Sequence, residues 1–382
     1  MPLPALIPPR RHAKNRPQQH GTSRLRILHA VLSGGFYGSE RYCIDLAIAQ
    51  ARAGHDVAVV AHDRRSECVA HFRRSVAQAE RGGALAGSLR IVVLPRALPA
   101  WLQRPAAWML LRRLRPAVVH SHLNPAARRI GRVAERLGIA HVATLLIRYD
   151  ARELGPCDGL IAVNQTQRRT IPEDFAGAVA VIWLWLSPAV DDAIARVAAG
   201  EVAAQRRQWG AGEDDVVFGS VGRLTPVKGM DALIRAFTAA FGPGDRVRLV
   251  LAGDGEDRAT LERLAGGDRR IIFAGHQADI APCYRAFDVF VSAARFEPFG
   301  LAIVEAMAAG CRLVVTRTDG PSEFLTDARV LWAELDQPDA LAAQLRAAAA
   351  SGRERAGYDM SRFTVERLAA DIEAFYRRLG AA

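Results

Sequence analysis

The chain has 382 residues, half of them hydrophobic and about a quarter charged, with a formal net charge of +11. That size and apolar fraction suit two α/β domains with cores of their own, and they exclude a disordered protein and a small disulfide scaffold. No run approaches the ~18–20 consecutive apolar residues of a membrane-crossing helix.

Residues 1–22 are Pro-rich and basic, with Arg10, Arg11, Lys14 and Arg16 and without the apolar stretch of a secretory signal, so they are read as a disordered basic tail. Residues 23–186 alternate short β-rich runs with helical stretches. Strands are expected at Leu25–Leu32, Asp56–His62, Arg90–Leu94, Ala117–His120, His141–Leu146, Leu160–Val163 and Val179–Leu184, and helices at Ser39–Ala53 and Asn124–Leu137. Trp101–Arg115 mixes bulky apolar and basic residues. It fits either a core-packed helix with a cationic end or a helix lying on a membrane surface. A junction is expected near Leu186–Ser187, followed by a charged, Ala-rich helical stretch up to Gly212.

The pattern then restarts over residues 187–360. Strands are expected at Val216–Val221, Val247–Ala252, Arg270–Ala274, Val289–Ser292 and Leu313–Thr316, with helices at Met230–Phe241, Asp257–Leu264, Ala281–Ala286, Leu301–Ala309 and Pro338–Ala350. Residues 361–382 close the chain with a helix whose apolar side carries Phe363, Leu368, Ile372, Phe375 and Tyr376. It is expected to cross back to the first domain. Near-continuous apolar strands between helices predict two doubly wound parallel sheets facing a cleft, with functional residues just beyond the strands' carboxyl ends.

The charge is unevenly shared. Residues 1–186 hold 27 Arg/Lys against 12 Asp/Glu, and residues 187–382 hold 24 against 28. A basic first half suits a phosphorylated acceptor or anionic lipid, and with no nucleic-acid motif beside it no nucleic-acid partner is expected. Cys43, Cys68, Cys157, Cys283 and Cys311 form no CxxC pair, which suits free thiols in a reducing, cytoplasmic setting.

Four stretches carry candidate chemistry. In Val221-Gly222-Arg223-Leu224-Thr225-Pro226-Val227-Lys228-Gly229, two cations flank a helix start whose free N–H groups favour an anion. Only Lys14 and Lys228 are lysine among 51 basic residues, so Lys228 stands out as a compact ammonium where arginine is the default. The alternative is an ordinary turn with two solvated cations. In Glu297-Pro298-Phe299-Gly300-Leu301-Ala302-Ile303-Val304-Glu305, Gly300 allows close backbone approach and two carboxylates suit sugar hydroxyls. A surface Glu and a capping Glu are the plain alternative. Ser33-Gly34-Gly35-Phe36-Tyr37-Gly38-Ser39-Glu40 follows the first strand, with Ser39 a candidate N-cap, and lacks a dinucleotide fingerprint. His120-Ser121-His122 ends a strand at the cleft edge, and no further ligand at metal spacing supports a metal site.

In this order and spacing, from about Leu25 to Leu379, these residues resemble the retaining glycosyltransferases of family 4, which have the GT-B fold. The most specific part is Glu297 to Gly310, similar to the family's E-x7-E stretch followed by E-A-M-A-x-G. Gly222-Arg223…Lys228-Gly229 resembles its phosphate loop and Ala252-Gly253-Asp254-Gly255 its G-x-G turn. The resemblance implies that Arg223 and Lys228 hold a donor diphosphate and that Glu305 binds ribose hydroxyls. It further implies that Glu297 contacts the donor sugar, that Gly300 and Leu301 line the donor, and that Gly34 and Gly35 approach from the opposite domain. It implies retention and no metal or other cofactor, the cations and helix N-terminus supplying the charge. Two departures stand out. Thr144-Leu145-Leu146 places leucine where many relatives have histidine, which shifts the catalytic contacts to Glu297 and His122 and leaves open a chain that binds a nucleotide sugar without transferring it. Trp183-Leu184-Trp185-Leu186-Ser187-Pro188 replaces a frequent Pro-Asn-Gly at the hinge. The expectation is a cytoplasmic glycosyltransferase, peripheral on the inner membrane face. It would take a nucleotide-sugar donor and a glycan or glycolipid acceptor of envelope synthesis.

Overall fold

The computed structural model describes residues 24–33, 35–63, 66–83, 85–95, 98–146, 149–334 and 337–381. The expected tail, residues 1–22, and Gly34 lie outside the described residues.

The first sheet has seven strands: β1 (Arg26–Val31), β2 (Asp56–His62), β3 (Ser88–Leu94), β4 (Val118–His122), β5 (Ala140–Leu145), β6 (Gly159–Ala162) and β7 (Ala178–Val181). All its pairings are parallel, in the order β3-β2-β1-β4-β5-β6-β7. The second sheet has β8 (Val216–Val221), β9 (Val247–Ala252), β10 (Ile271–Gly275), β11 (Val289–Ser292), β12 (Arg312–Thr316) and β13 (Leu331–Ala333). These are parallel too, in the order β10-β9-β8-β11-β12-β13. Both sheets thus reverse direction once, between β1 and β4 and between β8 and β11. A crevice opens at the carboxyl ends of the strands at each switch point, where loops diverge to opposite faces.

The apolar strands are there because helices cover both faces. On one face α1 (Gly38–Arg52) and α2 (Glu67–Arg81) bury Leu46, Val69 and Phe72 against Ile27, Val59 and Val118. On the other, α3 (Ala100–Leu114) buries Ala107 and Leu111 against Leu28, Val60 and Val119. The stretch Ser187–Gly212 forms two helices, Pro188–Arg196 and Ala199–Gln208. The final helix, Val365–Arg378, docks on the first sheet's layer: Glu373 pairs with His55 at 2.9 Å, and Tyr376 meets His120.

Candidate functional site

Both switch points feed one cleft. From β8, the chain leaves through Gly222 and Arg223, makes a 3-10 turn at Pro226–Lys228, and enters helix Met230–Ala240. Gly229 has φ +65°, and a Cβ there would collide with the Ala293 carbonyl oxygen after β11. Only glycine seats the loop so closely. After β11 come Glu297 and Gly300, the latter with φ +98° just before helix Leu301–Ala308.

The structure brings the two expected motifs into contact. Lys228 Nζ donates to Glu297 Oε2 at 2.5 Å, with the carboxylate side chain 13% exposed and the lysine 31%. The cation expected on phosphate and the carboxylate expected on sugar are therefore ion-paired, which brings the two candidate donor ends to one point. The stem of Lys228 runs alongside Gly222.

Between the domains lies a cavity of about 650 Å³. Tyr37 and Arg41 line it from the first domain, and Arg223, Gly253, Gln277 and Glu305 from the second. Two contacts cross it. The Arg223 guanidinium sits 5.3 Å from the centroid of the Tyr37 ring, and Arg41 Nη1 lies 3.5 Å from Glu305 Oε1. Tyr284, fully buried, donates its hydroxyl to Glu305 Oε2 at 2.7 Å. Burial pushes the Glu305 carboxyl above its ordinary value, while Arg41 and the Tyr284 hydroxyl pull it back. One of its oxygens thus holds a neutral donor and the other faces a cation, a carboxylate fixed for accepting hydroxyls. A smaller chamber of about 170 Å³ adjoins it, lined by Leu301, Asp45 and Ser187 beside Glu305. Burial raises Asp45 to about 6 there.

Other expectations need correction or fall elsewhere. Gly35 is half-buried after β1, and the first helix starts at Gly38, not at a Ser39 cap. The Ser39 hydroxyl instead donates to Glu40 Oε2 at 2.9 Å, and that carboxylate also takes the Tyr37 N–H at 2.9 Å. The helix N-terminus already holds its own anion, so a phosphate there would meet a negative charge.

His122 does not stand at the cleft edge. It is the last residue of β4, between β1 and β5, yet its side chain is fully buried, as are those of His29 and His120. His122 Nε2 is 3.0 Å from His29 Nδ1. His120 bonds Tyr376 Oη through Nδ1 at 2.6 Å and Thr144 Oγ1 through Nε2 at 2.7 Å. Burial holds His29 at about 4 and His120 and His122 well below the ordinary imidazole value. A neutral histidine sealed in the core cannot reach donor or acceptor. His122 does end its strand, as the triplet's position suggested; what the sequence did not show is that its ring packs inward against His29, Tyr42 and His120. One ring nitrogen from each of the three histidines lies within 4.8 Å of the others. Five of their six ring nitrogens hydrogen-bond a hydroxyl, an amide oxygen or another ring, and His122 Nδ1 has no partner among the described residues, which describes a packing network. Leu146 is half-buried against the main core and is not among the side chains lining the cavity.

Arg41, Tyr37 and Tyr284 were missed. Nothing in composition separates Arg41 from its many fellow arginines. Tyr284 belongs to the short helix Ala281–Ala286, whose burial reads as core.

Comparison with known proteins bears on the family and the fold. Residues 36–182 match the model of Glycosyltransferase Family 4 and residues 215–351 that of Glycosyl transferases group 1. The lipopolysaccharide core biosynthesis glycosyltransferase LpsE of Rhizobium meliloti is 41% identical over 129 residues, 33% of this chain and 37% of that protein. The D-inositol 3-phosphate glycosyltransferase of Segniliparus rotundus is 28% identical over 297 residues, 72% of this chain and 64% of that one. The chain thus spans between about a third and two thirds of the length of these curated relatives. The crystal structure of Anabaena HepE in complex with UDP and glucose superposes with a TM-score of 0.69 at 18% identity, covering 93% of this chain and all of that one. Matched in both halves by these family models, and folded as two facing parallel-sheet domains, the chain belongs to the GT-B glycosyltransferases of the group 1 and family 4 type.

Proposed function

We propose that the protein transfers a sugar from a nucleotide-diphosphate donor to a glycan or glycolipid acceptor of the cell envelope, with retention of anomeric configuration. The observation that carries this reading is that Arg223 and Glu305 line one interdomain cavity beyond the β8/β11 switch point, with the Lys228–Glu297 pair in the loops that follow the same two strands. Breaking the bond between the anomeric carbon and the donor phosphate leaves negative charge on the diphosphate. Arg223 and Lys228 are the cations that meet it, so the reading calls for no metal ion. Glu305, held by Tyr284, takes the ribose hydroxyls, and Glu297 lies where it can exchange its lysine partner for the sugar.

The relatives support this donor and acceptor chemistry. LpsE is named for lipopolysaccharide core biosynthesis, and HepE was crystallised with UDP and glucose. No helix among the described residues is long and apolar enough to cross a membrane, so an acceptor in the bilayer would be met from its surface. The test is transfer itself. Purified protein incubated with a panel of nucleotide sugars should be stabilised by at least one of them and should release the nucleoside diphosphate when acceptor glycolipid is added. Stabilisation with neither transfer nor hydrolysis would mark a non-catalytic binder, and no stabilisation by any donor would end the proposal.

A further inference from the structure

From Arg81 to Ala134 the chain carries ten arginines and not one Asp or Glu. Helix α3 lies in the middle of this stretch and divides cleanly into two faces. Ala107 and Leu111 are fully buried, with Leu110 and Leu114 packed beside them on the first sheet's core. The outward face carries Trp101, Arg104, Trp108, Met109, Arg112 and Arg113, all exposed. Six large apolar side chains are exposed among the described residues, and three of them are here: Trp101 at 74%, Met109 at 61% and Trp108 at 43%.

Two tryptophans and a methionine left in water on one helix face are costly. No ion pair among the described residues engages Arg104, Arg112, Arg113 or Arg115, whereas the neighbouring Arg128 and Arg132 are paired with Glu153 and Glu135. The Arg112 guanidinium lies 4.7 Å from the centroid of the Trp108 ring, so cation and ring are presented together. Aromatic rings suit the depth of lipid headgroups, and unpaired arginines beside them suit anionic phosphates.

We propose that the outward face of α3 docks the protein on an anionic lipid bilayer. The charge decides the occupant: a helix without a single acid, with arginines outside any ion pair interleaved with tryptophan, complements a negative surface that offers apolar depth. The placement is apt. Gln103 and Ala107 of α3 border a small pocket with Leu32, just past β1, and with His62 and Leu94, which end β2 and β3. A bilayer on α3 therefore lies beside the cleft's first-domain rim. The inference rests on the proposed function only in giving that placement a purpose, an acceptor carried by the membrane.

Cosedimentation with phosphatidylcholine vesicles, with and without phosphatidylglycerol, tests it, together with the blue shift of tryptophan emission on binding. The full chain should partition onto the phosphatidylglycerol vesicles and not the neutral ones, and lose that binding in high salt. The variants Trp101→Ser/Trp108→Ser/Met109→Ser and Arg104→Glu/Arg112→Glu/Arg113→Glu change exposed side chains only. Each should lower partitioning at least tenfold while keeping the wild-type unfolding midpoint and its stabilisation by nucleoside diphosphate. Wild-type binding by both variants, or no vesicle binding by the parent chain, would overturn the proposal. So would binding to duplex oligonucleotide in place of vesicles, or a self-association that the serine variant abolishes. Loss of donor stabilisation with vesicle binding intact would strike the proposed function and leave the docking face standing.

Discussion

Replacing Lys228 by alanine removes the ammonium expected on the donor diphosphate and strands its present partner. At 2.5 Å from Glu297, in an effective dielectric of about 20, the direct attraction of the pair is about 7 kcal/mol before desolvation offsets most of it. Against a diphosphate, the lost charge-assisted hydrogen bonds are worth about 1.5–3 kcal/mol, which raises Kd roughly 10- to 150-fold. Glu297→Gln should move in the opposite direction for the nucleoside diphosphate alone. It frees the ammonium and removes a negative charge beside the phosphates, so affinity should rise several-fold while sugar transfer falls. Calorimetric titration of both single variants and the double variant with UDP and GDP resolves the coupling, expected at about 0.5–3 kcal/mol for groups in contact. Unchanged affinity in Lys228→Ala, or an affinity lowered by Glu297→Gln, would refute the idea that the pair is the diphosphate's gate.

Tyr284→Phe leaves a Glu305 carboxylate oxygen without its buried donor. It should weaken nucleotide binding by about 1–3 kcal/mol, and equal binding would show that Tyr284 only packs. Gly229→Ala forces a left-handed residue with φ +65° and drives its Cβ against the Ala293 carbonyl. Thermal unfolding should show a loss of about 2 kcal/mol or more together with weaker diphosphate binding, and a neutral variant would contradict the tight loop seating. Acid should destabilise the fold through the histidine network. His29 is lowered from 6.5 to about 4 by burial, and burial also holds His120 and His122 well below the ordinary imidazole value. Their contribution is therefore whole above the unfolded value near 6.5 and is lost as pH falls below it, about 3 kcal/mol for His29 alone by the time pH reaches its folded value. Asp45, raised to about 6, works the other way, its neutral form favouring the fold in acid. It offsets about one histidine, so denaturant unfolding should still show a net loss of stability on acidification, and a flat profile would refute the neutral buried network.

The two-sheet architecture could be read from apolar runs because parallel strands covered on both faces have few polar positions to hide behind. The exceptions follow the same physics. Strand β13 is three residues long, too short for a run to form. Helix α1 starts before Ser39 because a carboxylate one residue further on, Glu40, does the capping. The candidate donor half-site stood out in the sequence because glycines, cations and carboxylates there sit at spacings that ordinary loops do not need. The other wall was not. Arg41 reaches Glu305 only because the domains face each other, a contact between residues 264 positions apart. The histidines misled for a related reason. A polar triplet closing a strand looks like a cleft edge until the neighbouring strands and the final helix, through Tyr376, are laid over it.

The central claim is that one cleft binds a nucleotide-diphosphate sugar through Lys228, Arg223 and Glu305, and its most direct measurement is donor binding by wild type and by Lys228→Ala and Glu305→Ala in the same thermal-shift panel. The account predicts that at least one nucleotide sugar raises the wild-type midpoint in a concentration-dependent way and that both variants, folded, lose most of that shift. A panel in which no donor stabilises the wild type, or in which both variants respond as the wild type does, would contradict it.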